Sequence, residues 1–104
     1  MNLDKNYGNL LLDFYKELLT KRQVEVLELY FSDDYSMQEI AEELNISKSA
    51  VSDNIHRALD LLNTYEEKLN LIKDYKARMR IYDQLAKIEN EEVQKWLKKL
   101  IEID

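Results

Sequence analysis

Eight residues in the first part of this 104-residue chain could grip a phosphate or read a base edge. They are Lys21 and Arg22, then Lys48, Ser49, Ser52, Asn54, His56 and Arg57. Ammonium and guanidinium groups hold phosphate oxygens, and short polar side chains reach base edges in a groove. A second cluster, Lys73, Lys76, Arg78 and Arg80, follows Lys68 and has Tyr75 and Tyr82 interleaved. Its chemistry would be an RNA-backbone contact with tyrosines stacking on unpaired bases; the plainer alternative is a solvated helix face diluted by Asp74 and Asp83.

Catalysis lacks candidates. Without cysteine there is no disulfide or thiolate metal site, and the single histidine, His56, rules out a multi-histidine metal centre. The lone glycine, Gly8, cannot form a glycine-rich phosphate loop, and no nucleophile stands at a recognisable spacing from a base and an orienting acid. Acidic pairs such as Glu42–Glu43 and Glu91–Glu92 are adjacent rather than convergent. The expectation is a non-enzymatic protein with no cofactor and no metal.

The charge balance complicates nucleic-acid binding. Residues 1–65 carry 12 acidic and 6 basic side chains, whereas residues 66–104 carry 9 of each. Most of the candidate phosphate ligands therefore lie in the half that repels phosphate. Lys21 and Arg22 also fall in the first turn of a helix, where the dipole mildly disfavours positive charge. Arg57 can serve as a structural ion-pair partner, and His56 can be merely exposed.

The elements that must position these residues are all helical. No proline and one glycine leave a chain rich in Leu, Glu, Lys and Ile almost unpunctuated, which predicts an all-α fold. Leu3, Tyr7, Leu10, Leu11, Phe14 and Leu18 recur at three- and four-residue steps, predicting a first helix over about 3–19. Thr20 with Gln23 forms a capping-box pattern before a helix over about 21–31, with Val24, Leu27, Tyr30 and Phe31 inward. Residues 32–35 read as a polar loop, and Ser36 with Glu39 caps a third helix over about 37–44. Asn45 suits a left-handed corner, and Ser47 suits the N-cap of a fourth helix. Val51, Ile55, Ala58, Leu59 and Leu62 are its predicted inward residues.

Beyond Leu62 the pattern continues. Ile55, Ala58, Leu62, Tyr65, Leu69 and Ile72 keep heptad spacing, which points to a homodimer through helix pairing. Thr64 with Glu67 could start a new helix, but the expectation is one long helix ending near 70–75. A helix over about 75–88 and a last one over about 91–102, capped by Asn90, complete the chain. Val93, Trp96, Leu97, Leu100 and Ile101 make the last helix amphipathic. Two regions are expected, a helix-turn-helix domain over 1–65 and a helical extension over 66–104. No stretch nears the roughly 18 apolar residues of a membrane span, and the N-terminus lacks a signal-peptide pattern. A cytoplasmic location is expected.

The residues Leu19, Thr20, Arg22, Val26, Leu27 and Leu29, followed by Glu39, Ile40, Ala41, Leu44, Ile46, Ser47, Val51, Arg57, Ala58 and Leu59, carry a resemblance. Over about 18–62 the chain resembles region 4 of bacterial sigma factors, especially the extracytoplasmic-function type. That resemblance implies a DNA-binding helix-turn-helix, with Arg22 able to approach a phosphate. It departs where sigma factors tend to place basic residues after the valine: here stand Ser52, Asp53 and Asn54. The span from Leu11 to Gln23, the Tyr30–Phe31 pair, Asp33 to Ser36, and Ile46 to Ile55 are similar to the YlxM-type helix-turn-helix proteins of Gram-positive bacteria. Members of that family are encoded beside the signal recognition particle GTPase. The resemblance implies an accessory or regulatory role in protein targeting, with the GTPase or its RNA as partner. A DNA-binding transcriptional regulator is the alternative.

Overall fold

The computed structural model describes residues 4–104, and all regular structure among them is helical. Leu3, placed in the first helix by its spacing, lies outside the described residues. In order, the helices are α1 (Lys5–Tyr15), α2 (Lys21–Leu27), α3 (Met37–Leu44), α4 (Lys48–Leu69), α5 (Leu71–Ala86) and α6 (Glu91–Ile103). The chain divides after Asn70 into two compact units.

Each start in the first unit has a local cause. Asp4 accepts from the Asn6 and Tyr7 amides at 3.0 and 3.3 Å to begin α1. Both expected capping boxes form. Thr20 Oγ1 accepts from Gln23 N at 3.2 Å while Gln23 Oε1 accepts from Thr20 N at 2.9 Å. Ser36 and Glu39 repeat the exchange, both bonds at 3.1 Å. Each box satisfies two amides that a helix start would otherwise leave bare, a contribution of about 1 kcal/mol.

The first helix stops earlier than its spacing suggests. Tyr15 ends α1, Lys16–Leu18 tightens into a single 3₁₀ turn, and Leu18 is 54% exposed. The inward stripe is Gly8, Leu11, Leu12 and Tyr15, with Leu10 and Phe14 only half-buried. Three consecutive leucines fit several stripes equally, and tertiary contact selects one. Tyr15 wins the interior because its hydroxyl donates to Glu66 Oε1 at 2.5 Å, so the ring is buried with its polar atom satisfied.

The second helix widens as it ends. Residues Glu28–Ser32 form a π turn, with Asp33 N donating five residues back to Glu28 O at 3.0 Å. Phe31 is thereby buried, together with Val26 and Leu27, while Val24 and Tyr30 remain at the margin. Phe31 lies over Gly8: a Cβ there would sit within 2.6 Å of three ring carbons. Asn9 Nδ2 donates to Phe31 O at 2.8 Å, and Ser32 Oγ donates to Asn9 Oδ1 at 2.7 Å, locking the π turn onto α1. Lys5 pairs with Asp34, which carries φ 58°, and stands 4.8 Å over the Tyr30 ring.

Helix α4 runs 22 residues without interruption. Thr64 does not restart it; its hydroxyl donates to Asp60 O at 2.8 Å, as mid-helix threonines do. The end comes at Asn70, left-handed at φ 55°, and α5 starts at Leu71, about four residues before the expected next helix. The heptad run is consequently not a surface seam. Ile55, Ala58 and Leu62 are fully buried within the first unit, and Asn70 interrupts the run before Ile72.

In the second unit, α5 and α6 form a helical hairpin. Asn90 Oδ1 accepts from Val93 N at 3.2 Å to start α6. Gln94 Nε2 donates to Ile88 O and Ala86 O at 2.9 and 3.2 Å, covering carbonyls that the end of α5 leaves open.

Candidate nucleic-acid interface

Helices α3 and α4 and the corner between them build the helix-turn-helix. Asn45 takes φ 54° and ψ 47°, and Ile46 N donates to Ala41 O at 3.0 Å to close the corner. Ser47 Oγ then accepts from Ala50 N at 3.1 Å and starts α4. Ile40, Val51 and Ile55 are fully buried in this unit, and Ala41, whose small side chain permits close helix approach, is 6% exposed. Burying side chains of that size contributes about 1.5–3 kcal/mol each, enough to fix the position of α4.

The exposed face of α4 is where a groove would be read. Lys48, Ser49, Asp53, His56 and Arg57 are exposed there, and Ser52 is partly so. Arg57 does not stand as an open cation: its Nη2 lies 3.3 Å from Asp53 Oδ2, one turn earlier. Asn54 does not join the face. It is half-buried and donates to Ala50 O of its own helix at 2.9 Å. His56 Nδ1 is 2.7 Å from Ser52 O, so this nitrogen carries the proton, because a carbonyl can only accept. Ser49 Oγ is 3.2 Å from Ser47 Oγ at the helix start.

The other two candidates of this unit also lie among carboxylates. Arg22 Nη1 pairs with Glu25 Oε1 at 3.2 Å. Lys21 borders a shallow depression that Glu25, Glu28 and Asp33 also line. Lys48 borders another with Asp34 and Glu39. Between Ser36 and Asp60 the chain carries two cations, Lys48 and Arg57, against five carboxylates, Glu39, Glu42, Glu43, Asp53 and Asp60. Such a surface repels a phosphate backbone at long range, and both of its arginines, Arg22 and Arg57, share their charge with a carboxylate on the same helix.

The basic cluster of α5 separates into two groups. Lys73, Lys76 and Arg80, spaced three and four apart, share one exposed face. Arg78 is turned away: its Nε lies 3.0 Å from Asp104 Oδ1, near enough for ion pairing though off the line of a hydrogen bond. Tyr82 is buried and its hydroxyl donates to Asp104 as well. That hydrogen bond and the buried position hold the Tyr82 phenol above its ordinary range. Tyr75 is half-buried and stands on the same side of the helix as Tyr82. The tyrosines interleave with the cations in sequence and oppose them in space, so a combined stacking and phosphate stripe does not form. Asp104, the residue responsible, was invisible as a partner because 22 or more positions separate it from Arg78 and Tyr82.

Among the described residues no group of histidine, cysteine or carboxylate side chains could hold a metal ion, and no helix is long and apolar enough to cross a membrane.

Comparison with known proteins agrees with the arrangement of α3 and α4. A family model described as helix-turn-helix protein, YlxM / p13 like, matches residues 3–102. UPF0122 protein YofM of Lactococcus lactis subsp. lactis is 49% identical over 88 residues, covering 84% of this chain and 79% of its own length. UPF0122 protein lin1916 of Listeria innocua is 49% identical over 80 residues, covering 77% and 73%. A UPF0122 protein of Streptococcus pneumoniae is 48% identical over 86 residues, covering 82% and 78%. With its helix-turn-helix core intact and both its sequence and the family model matching over most of its length, this chain belongs to the YlxM/p13-like helix-turn-helix family, UPF0122.

Proposed function

We propose that this protein is a non-enzymatic accessory or regulatory factor of the signal recognition particle pathway, acting in the cytoplasm through protein or RNA contacts. The observation that carries this reading is the neutralised face of α4, where Asp53 pairs with Arg57 and Asn54 turns onto its own backbone. A helix-turn-helix held together by Ile40, Val51 and Ile55, whose α4 arginine is paired and whose surroundings are acidic, suits a protein-binding scaffold better than a DNA reader. The GTPase of the particle is the expected protein partner. Its RNA would meet Lys73, Lys76 and Arg80 in the helical extension (66–104), with residues 1–65 as the protein-binding domain.

A pull-down with the tagged full-length protein from native lysate, split into nuclease-treated and untreated halves, tests this reading. Retention of the particle's GTPase in both halves supports a protein contact, and retention only in the untreated half supports the RNA. Loss of both sinks the proposal.

A DNA-binding regulator remains the second reading, favoured by the well-formed α3–Asn45–α4 corner with Lys48, Ser49 and Ser52 at the start of α4. Under that reading duplex affinity falls steeply with salt and is lost when Lys48 and Arg57 become alanine.

A further inference from the structure

Helix α6 presents more apolar surface than its own hairpin covers. Leu97 is buried, yet Trp96, Leu100 and Ile103 are 54%, 44% and 83% exposed. These three fall within one arc of the helix, spaced four, three and seven residues apart, and Val93 borders the same arc. Polar groups edge it in a fixed order. Glu92 Oε2 accepts from Trp96 Nε1 at 3.1 Å near the start of the helix. Lys95 and Lys99 lie 5.2 and 4.8 Å from the centre of the Trp96 ring.

This arrangement is its own complement. Glu92 and Lys99 are seven residues apart, about 10 Å along the helix, with Trp96 between them. If a second α6 is laid against the first in the opposite direction, about a two-fold axis near Trp96, residue numbers of facing pairs sum to about 192. Trp96 then meets the partner's Trp96. Val93 meets the partner's Leu100, and Glu92 comes beside the partner's Lys99. At this centre the apolar residues meet apolar ones, and Glu92 and Lys99 meet opposite charges, the Val93–Leu100 and Glu92–Lys99 pairs each formed twice by symmetry, as an isologous interface requires. Antiparallel helices also oppose their dipoles favourably.

We propose that α6 is the pairing surface of a two-fold homodimer, in which Trp96, Leu100 and Val93 form the apolar centre and two Glu92–Lys99 pairs set the register. The α5–α6 hairpins of the two copies together make a four-helix arrangement, a common way for two hairpins to bury the faces each leaves open. This inference is independent of any role in protein targeting.

Sedimentation equilibrium of the full chain over a wide concentration range measures the pairing, and Trp96, the only tryptophan, reports it directly. With rising concentration the chain dimerises, Trp96 emission moves to shorter wavelength and quenching by acrylamide falls. Leu100→Glu leaves a monomer with exposed Trp96 at every concentration and unchanged helical circular dichroism. Lys99→Glu and Glu92→Lys each bring like charges together and weaken self-pairing by about tenfold. Mixed, those two variants pair with each other, because each then supplies the charge that the other lacks. A chain monomeric at all concentrations overturns the proposal. So does a dimer that Leu100→Glu leaves intact, or a pair of charge variants that fail to recognise each other while remaining helical.

Discussion

Replacing Gly8 by alanine sets two opposing effects against each other, and the geometry predicts which one wins. Gly8 lies inside α1, where alanine is favoured over glycine by about 1 kcal/mol through helix propensity alone. The new methyl carbon, however, would fall within 2.6 Å of Cδ1, Cε1 and Cζ of Phe31. That ring cannot swing away freely. It is 4% exposed, packs edge-on against Tyr30 with centroids 5.2 Å apart, and its backbone carbonyl is held by Asn9. Forcing one extra carbon into a packed site costs about 1–3 kcal/mol, and a clash with three ring atoms belongs at the upper end. The net expectation is destabilisation by about 1–2 kcal/mol, a fall in Tm of roughly 5–10 °C for a domain of this size. Thermal unfolding followed by circular dichroism measures it. A second cycle isolates the cause: in a Phe31→Leu background the same substitution should be neutral, or stabilising by up to about 1 kcal/mol. If Gly8→Ala raises Tm in the otherwise unaltered protein, the close approach of α1 to the π turn is not as described.

Other expectations concern charge and capping. Asp53→Lys both adds a cation to α4 and releases Arg57, so duplex DNA should bind at low salt with a log–log slope about one to two units steeper than the parent's; unchanged binding would sink the neutral-face argument. Lys73→Glu, Lys76→Glu and Arg80→Glu combined should abolish RNA retention at low salt, whereas Arg78→Glu alone should leave retention and loosen the hairpin, read as a lower Tm. The raised Tyr82 phenol stabilises the fold while protonated. That contribution is full below the ordinary phenol value of about 10 and is lost as pH climbs through the elevated one. Asp104→Asn should return Tyr82 toward the ordinary range in an ultraviolet phenolate titration. Ser36→Ala removes one capping box and should cost about 1 kcal/mol in chemical denaturation.

What was legible in the sequence was whatever depends on neighbours a turn or less away. Thr20–Gln23, Ser36–Glu39, Asn45, Ser47 and Asn90 all perform the local tasks their types and spacing suggest, so the starts of α2, α3, α4 and α6 were readable. The Asp53–Arg57 pair likewise follows from four-residue spacing. Register was less readable, because Leu10, Leu11 and Leu12 permit several inward stripes and the choice falls to the distant Tyr15–Glu66 hydrogen bond. Heptad spacing from Ile55 to Ile72 misled for a related reason: periodicity records that a face is apolar, not which surface covers it. The division of the basic cluster was hidden on the same ground, since the turning-in of Arg78 and Tyr82 depends on Asp104, far along the chain.

The π turn at Glu28–Ser32 acts as a phase adjuster. Helix α2 ends with its apolar side set by Val26 and Leu27, and the widened turn lets Phe31 rejoin that side by taking up one more residue than an ordinary turn. Length there is therefore as constrained as composition. Straightening Glu28–Ser32 into a regular helix at its present length would swing Phe31 by roughly 100° off Gly8 and misaim the Ser36 cap that launches α3. In this molecule the aim of the helix-turn-helix depends on a count of residues made just before it begins.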